Sequence, residues 1–196
     1  MKRIILSVAA ALLCAATCLG ADNSAALSRI EQMNASVKGI SAQFAHKKTI
    51  KAAGKVIKMQ GDLEFSNPDK LKMTYSVPAT DKIDIDGKNF TIVRGKAPQK
   101  FDTTKNALMA SLSNTLLNCF KGKVSAIAKD NDADVTVSET ADKYMVTLTA
   151  KKAAARGYSK IVMTYRKSDG LLMALEMEEF SGIDNLYTMS QPKRNI

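Results

Sequence analysis

The chain has 196 residues, 45% of them hydrophobic, and a formal net charge of +10 at neutral pH. This length is usual for one domain and excludes an assembly of several domains. Of the three cysteines, Cys14 and Cys18 lie in an N-terminal segment with the pattern of a secretory signal, so Cys119 is left alone and an internal disulfide is excluded.

The N-terminal segment has the three parts of a secretory signal. Two basic residues are followed by an apolar run over residues 4–14 and then by small residues. Because the run is too short for a good membrane span, we expect residues 1–20 to be removed on export and residues 21–196 to form one domain. Lipid modification of Cys18 is the alternative. Export excludes nucleic acid as a partner. The net positive charge of the chain is suited to binding anionic lipid head groups or an acidic protein.

Alternating residues organise the first half of the exported chain. Apolar and polar side chains alternate over residues 59–65 and again over 71–77, a pattern typical of strands buried on one face. Asn67-Pro68 separates the two runs, since proline lacks the donor that a central strand uses. A third run ends at Asp86-Gly87, a dipeptide typical of hairpins. The stretch predicts an antiparallel meander with one apolar face.

Two amphipathic helices and further strands complete the prediction. The first helix is expected from Asp22 to about Val37, and the second from a cap at Thr103 or Thr104 to a stop at Gly122. A turn is expected around residues 96–98. The other strands are predicted at residues 40–50, 56–65, 83–85, 89–93, 135–138, 144–151, 161–165, 171–177 and 186–190.

The balance between sheet and helix bears on function. Roughly nine or ten strands present one apolar face, and only two helices are predicted to cover it. A sheet of that size curls, and its concave side is either filled by helices and large side chains or keeps an apolar pocket beneath the second helix. Abundant methionine and the absence of tryptophan favour the pocket, because thioether side chains adapt to ligands of varied shape.

The sequence also resembles a known family through several short motifs. In chain order these are Ser41-Ala42-Gln43-Phe44, Gly61-Asp62-Leu63, Pro68, Pro78, Asp86-Gly87, the helix over residues 104–120, and Asn185-Leu186-Tyr187-Thr188-Met189. Their spacing is similar to that of the outer-membrane lipoprotein carrier (LolA-like) family. The resemblance implies an α+β fold, in which a curved antiparallel sheet forms an open, unclosed β-barrel with helices covering its concave face.

The same resemblance implies a function. It indicates a soluble, monomeric periplasmic carrier that binds the acyl chains of lipoproteins in an apolar cavity and transports them towards the outer membrane. Its partners would be an inner-membrane donor complex and an outer-membrane acceptor, and it would be neither an enzyme nor dependent on a cofactor. The alternative is a periplasmic binding protein or sensor for another lipid or amphiphile with the same fold.

Two departures from the family pattern concern ligand control and the end of the chain. Asn67 stands where the best-studied type has an arginine tied to lid opening. That type also has a further C-terminal strand, which we expect to be absent because the chain stops at Ile196.

Alternation and helical spacing select the candidate binding residues. The predicted lining of the apolar cavity consists of Leu63, Phe65, Leu71, Met73, Tyr75, Met163, Tyr165, Met173 and Leu175. The predicted lid residues are Leu108, Met109, Leu112 and Leu116. An error of one residue in register would turn a whole strand outward.

No catalytic or metal-binding pattern is found in the sequence. The single histidine, His46, is interpreted as a solvated surface residue, because no nucleophile or second ligand accompanies it. Cys119 is interpreted as a buried, inert thiol on the apolar side of the second helix. A lysine series, Lys47, Lys48, Lys51, Lys55 and Lys58, is either a solvated strand face or a dock for an anionic membrane or a membrane-bound partner.

Overall fold

The structure, a computed structural model, describes residues 23–153 and 157–195, so the predicted signal segment lies outside the described residues. In chain order the elements are α1 (Asn23–Asn34), β1 (Gly39–Ile50), β2 (Lys55–Ser66), β3 (Lys70–Val77), β4 (Lys82–Asp86), β5 (Asn89–Arg94), β6 (Ala97–Asp102), α2 (Ala107–Phe120), α3 (Val124–Asp130), β7 (Ala133–Glu139), β8 (Lys143–Ala150), β9 (Tyr158–Arg166), β10 (Leu172–Glu179) and β11 (Ile183–Asn195). Within the described ranges, no helix has the length and apolar character needed to span a bilayer.

All the strands belong to one antiparallel sheet. Its order is β6-β5-β4-β3-β2-β1-β11-β10-β9-β8-β7, so the first six strands run outward from β1 and the last five return to pair with it. The edge strands β6 and β7 are not paired with each other, and the curved sheet stays unclosed. This confirms the predicted open barrel.

The structure corrects the element prediction in the middle of the chain. Residues 97–102 form strand β6 instead of a turn, and Pro98 is tolerated because β6 lies at the sheet edge, where no neighbour needs its missing N–H. A third helix, α3, was not predicted, since its seven residues are too few for a clear helical period.

The bounds of three other elements also differ from prediction. Helix α1 ends at Asn34, earlier than Val37, because the buried Asn34 amide donates to the Ile30 carbonyl at 2.9 Å and to the Gly170 carbonyl at 2.8 Å. Helix α2 is capped by Asn106, whose side chain accepts from the Met109 amide at 3.1 Å, and neither Thr103 nor Thr104 serves as its cap. Strand β11 is far longer than the predicted residues 186–190.

The helices fill only one end of the concave face. The end of the sheet where β1 begins, with Gly39 opposite Ser66, is called the filled end. The opposite end, where Ile50 pairs with Lys55 at the β1–β2 hairpin, is called the hollow end. At the filled end the Phe65 ring stacks on Phe120 of α2, with the centroids 5.6 Å apart. The three helices of the described residues, α1, α2 and α3, bury Ile30, Phe120 and Ile127 in the same apolar core.

Gly61 allows the close approach of β2 and β3 between these two ends. A Cβ atom at Gly61 would lie 2.1 Å from the Thr74 carbonyl oxygen, which is backbone and cannot move aside on its own. The pairing of the two strands shifts register between Gln60 and Gly61, directly opposite Tyr75. Glycine is therefore needed here for space and not for an unusual backbone angle.

We expect Gly61→Ala to lower the free energy of unfolding by about 1–3 kcal/mol, because the added methyl group must push the strands apart. Urea unfolding followed by circular dichroism measures the change. The matched control is Gln60→Ala, an exposed neighbour whose effect should stay within about 0.5 kcal/mol. Equal stability of the two variants would contradict the close approach of the strands.

Candidate functional site

A cavity of about 320 Å³ lies at the hollow end, beneath the first half of α2. This volume is at the lower end of the range of about 300–1,000 Å³ found for small-molecule sites. Most of its wall is apolar and comes from strands on both sides of β1. The apolar lining residues include Ile57, Met59, Ile83, Phe90, Ile92, Val93, Leu112, Leu116 and Met177.

A second cavity of about 260 Å³ lies against α2 next to the first. It is lined by Leu108, Met109 and Ser111 of the helix, and by residues at the start of β9 and the end of β10. Leu112, Tyr158 and Glu179 line both cavities and so belong to the wall they share. Glu179 is held by hydrogen bonds from Ser181 and Asn185, so the two spaces would join through a rearrangement of Leu112 and Tyr158.

The two halves of α2 have different surroundings. The second half is fixed in the core, where Leu117 and Phe120 are buried and the Tyr165 hydroxyl donates to the Cys119 carbonyl at 2.9 Å. In the first half, the Leu108 side chain is 45% exposed and Leu112 is half-buried. The first half of the helix therefore covers the cavities while partly exposed, whereas Leu116 of the second half lines the first cavity from the buried core.

A polar cluster interrupts the apolar wall of the first cavity. His46 Nδ1 lies 3.0 Å from the Tyr75 hydroxyl, and His46 Nε2 lies 3.2 Å from Asn185 Oδ1. The Asn185 amide nitrogen donates to Glu179, so the amide oxygen faces His46 and accepts a hydrogen bond from Nε2–H. Nδ1 is then the acceptor for Tyr75. The ring of Tyr187 stacks on the imidazole with the centroids 4.0 Å apart.

The interpretation of His46 as a solvated surface residue was wrong, because only 6% of it is exposed. The sequence carried a usable signal: His46 follows the inward-facing Phe44 by two residues, and alternation along β1 places both on the concave side. The lysines that flank His46 obscured this pattern.

Burial lowers the pKa of His46 from its usual 6.5 to about 4; Asn185 opposes this shift, while Lys48 and Arg94 add to it. Between pH 6.5 and 4 the unfolded chain therefore binds a proton that the folded protein does not bind. We expect the free energy of unfolding to fall by about 3 kcal/mol from this residue alone as the pH drops through that window.

The measurement is urea unfolding at several pH values for the native protein and for His46→Gln. The difference between the two stability curves isolates the histidine from the carboxylates, which titrate in both proteins. The native curve should drop more steeply below pH 6.5, and parallel curves would show that His46 is not buried as a neutral group.

Of the predicted lining residues, one lines a cavity beside α2 and most are buried in the core. Tyr75 lines the first cavity. None of the others lines either cavity beside α2, and all but one are buried in the packed core: Leu63, Phe65, Leu71, Met73, Met163, Tyr165 and Leu175. The exception, Met173, is only half-buried, since a bulge between Leu172 and Ala174 breaks the alternation in β10.

The predicted lid residues all lie on the helix beside the cavities or in its buried continuation. Leu112 and Leu116 line the first cavity, and Leu108, Met109 and Leu112 line the second. Residues that sequence reasoning missed include Ile57, Met59 and Met177. They continue the same alternation towards the hollow end, so the signal was present but was not followed far enough along each strand.

The other residues singled out in the sequence have structural surroundings. Cys119 is fully buried, as predicted, and burial raises the pKa of its thiol. The Asn67 amide donates to the Val37 carbonyl at 3.1 Å and so holds the connection between α1 and β1. In residues 23–153 and 157–195, no group of three or more His, Cys, Asp or Glu side chains is arranged to hold a metal ion.

The lysine series is not one uniform face. Lys47, Lys55 and Lys58 are exposed, whereas Lys51 pairs with Asp184 at 3.2 Å. Lys48 is half-buried and lines the first cavity.

Comparison with known proteins assigns the family. The family model described as "Outer membrane lipoprotein carrier protein LolA" matches residues 35–196, which is most of the chain. The chain belongs to this family. The match covers every strand of the sheet and both helices that follow β6. A comparison with curated protein sequences gave no significant match.

Solved structures with a similar fold come from several bacteria. A LolA superfamily protein from Nitrosomonas europaea is 10% identical, with 89% of this chain and 94% of that one covered and a TM-score of 0.45. Lipoprotein LppX from Mycobacterium tuberculosis is 11% identical, with 88% and 97% covered and a TM-score of 0.43. A chain of the Pseudomonas aeruginosa MucA/MucB complex is 12% identical, with 90% and 58% covered and a TM-score of 0.49. Likeness at this level is too remote to transfer a property to the present chain.

Proposed function

We propose that the protein is a periplasmic carrier that binds the acyl chains of lipoproteins at the hollow end and transports them towards the outer membrane. An inner-membrane complex would supply the cargo, and an outer-membrane acceptor would receive it. The protein would act by binding and release, with no covalent step.

The observation that carries this proposal is the apolar cavity between an unclosed sheet and the loosely packed first half of α2. Family membership supports the same function. A closed and fully packed barrel could not admit a chain, whereas here the sheet is unclosed and the deeply buried apolar side chains of the covering helix belong to its second half.

Hydrocarbon burial sets the energy scale. It is worth about 0.8 kcal/mol per CH₂ group, so one chain of ~16 carbons represents roughly 10 kcal/mol that a carrier must supply and later give up. We propose that Leu112 and Leu116 cover the apolar wall when no cargo is bound. On loading, Leu112 and Tyr158 would give way and the two cavities would become one longer site.

The test is native mass spectrometry of the protein purified from the periplasm of its own source. Co-purification of a triacylated protein is the expected result. A protein that carries no acyl species, and that takes up none from detergent-solubilised lipoprotein, would refute the carrier function.

A second candidate, binding of a different amphiphile, is favoured by one observation. The polar cluster of His46, Tyr75 and Asn185 lies in the wall of the cavity, where hydrocarbon alone would need no hydrogen-bonding groups. Recovery of free phospholipid or glycolipid in the same experiment, with no lipoprotein, would favour this candidate.

A further inference from the structure

We propose that the first cavity selects amphiphiles with an anionic head group, held by Lys48 and Arg94 at the hollow end. The inference rests on the proposed binding of acyl chains and deepens the second candidate, a free amphiphile, because the acylated end of a lipoprotein carries neither a carboxylate nor a phosphate. The shared chemistry is a carboxylate or a phosphate monoester joined to a hydrocarbon chain.

Among the described residues five charged side chains line the cavity; one of them is ion-paired, and two are carboxylates that accept hydrogen bonds from neutral donors and keep their charge. Lys82 forms an ion pair with Asp84. Asp81 accepts from the Gly95 amide at 3.1 Å, and Glu179 accepts from Asn185 at 3.2 Å.

The other two lining charges are both positive. In the part of the chain that the structure describes, neither Lys48 nor Arg94 forms an ion pair within 4.0 Å. The two residues approach the cavity from separate strands, Lys48 from β1 and Arg94 from the end of β5. An anion held between these two residues would therefore meet positive charge that no carboxylate within 4.0 Å neutralises, although Asp81 and Glu179 leave two negative charges elsewhere in the lining.

The fields of these two cations reach the polar wall of the cavity. Burial is the main cause of the lowered pKa of His46, and both Lys48 and Arg94 lower it further. Burial raises the pKa of the Tyr75 hydroxyl; a hydrogen bond with Tyr187 and the charge of Arg94 oppose this rise, while Asp81 adds to it. An anion in the first cavity near His46 would be attracted by Lys48 and Arg94, and the apolar walls would strengthen the attraction relative to open water.

The arrangement fits an amphiphile in one orientation. The hydrocarbon chain would follow Ile57, Met59 and Ile92 into the cavity, while the head group stays between Lys48 and Arg94. Guanidinium and ammonium groups donate strong hydrogen bonds to carboxylate and phosphate oxygens. A neutral alcohol of equal chain length gains the apolar contacts but not the charged ones, so it should bind roughly 10-fold or more weakly.

The test compares three twelve-carbon ligands in a fluorescent-lipid displacement assay at neutral pH: dodecanoate, dodecyl phosphate and dodecanol. For the native protein we expect dodecanoate, dodecyl phosphate or both to bind at least about 10-fold more tightly than dodecanol. The relative affinity of the two anions distinguishes a fatty-acid carboxylate from a phosphate head group. In the double variant Lys48→Gln/Arg94→Gln the preference should fall to about 1, with the affinity for dodecanol unchanged.

The matched control is Lys47→Gln/Lys96→Gln, which removes the same net charge. Lys47 and Lys96 are exposed and neighbour the two candidate residues in sequence, but neither lines the cavity. This control should keep the preference for anions. Equal affinity of the native protein for all three ligands, or an undiminished preference in the Lys48→Gln/Arg94→Gln variant, would overturn the inference alone. Binding of none of the three would count against acyl-chain binding itself.

Discussion

Leu112→Asp is expected to weaken the binding of acyl chains by about 100-fold or more while the sheet stays folded. Leu112 lies in the wall shared by the two cavities, so the substitution replaces an apolar part of that wall by a second carboxylate in addition to Glu179. The variant loses the apolar contact of leucine, worth about 1.5–3 kcal/mol when fully buried, and a bound chain would also have to desolvate the new charge. The side chain is only half-buried in the free protein, so the variant should fold.

Displacement of a fluorescent fatty acid measures the effect, and circular dichroism checks that the sheet is retained. The matched control is Asn114→Asp, which adds the same charge at an exposed position two residues further along α2. Its affinity should stay within about 3-fold of the native value, because exposed charges are screened by solvent. Native affinity in a folded Leu112→Asp variant would exclude the first half of α2 from the binding site.

The period of two in the sequence correctly predicted an antiparallel sheet with one apolar face. Leu63, Phe65, Leu71 and Met73 do point into the concave side, as their alternation required. Alternation does not encode position along the strand axis, however, and this position separates the filled end from the hollow end. The same four residues lie where helices occupy the concavity, so they pack against protein.

The location of the helices is a property of the tertiary structure. Helix α3 has only seven residues and packs against α2 and β7, contacts that no local pattern in the sequence predicts. Once α3 and the second half of α2 cover one end of the sheet, the space that remains is displaced towards Ile57, Met59 and Ile92. The cavities thus lie on the face and beside the helix named in the prediction, whereas most of the predicted lining residues lie deeper in the core.

Local irregularities account for other differences. Met173 would face inward in a regular strand, but the bulge beside it changes the alternation in β10. His46 is the opposite case. Its strand is regular there, and the histidine faces inward although lysines follow it in the sequence. The bulge beside Met173 can be recognised only in the three-dimensional structure. The inward orientation of His46 could have been predicted from the sequence, because it follows Phe44 by two residues in the same strand.

Phe65→Ala is expected to cost about 3–5 kcal/mol of unfolding free energy, which is the usual range for removing a buried phenylalanine. Phe65 is 2% exposed and its ring stacks on Phe120 at the filled end. The loss of this contact leaves a void between the sheet and α2, because the surrounding core can relax only in part. Urea unfolding measures the change directly.

The same variant decides whether the two ends of the sheet have separate roles. Since Phe65 lines neither cavity beside α2, acyl-chain affinity of the folded variant should stay within about 3-fold of the native value. Ile92→Ala is the complementary variant: Ile92 is half-buried in the cavity wall, so we expect a smaller loss of stability and a larger change in affinity.

The opposite pattern would mean that the acyl chain enters the core itself. If Phe65→Ala weakened binding as strongly as Leu112→Asp, the ligand would have to displace the second half of α2 from the sheet. The lining residues chosen by alternation alone would then be the correct ones, and the cavities seen here would mark only the entrance to the site. Anchoring of that half by the Tyr165 hydroxyl on the Cys119 carbonyl argues against so large a movement, because a buried hydrogen bond would be lost together with the Phe65–Phe120 contact.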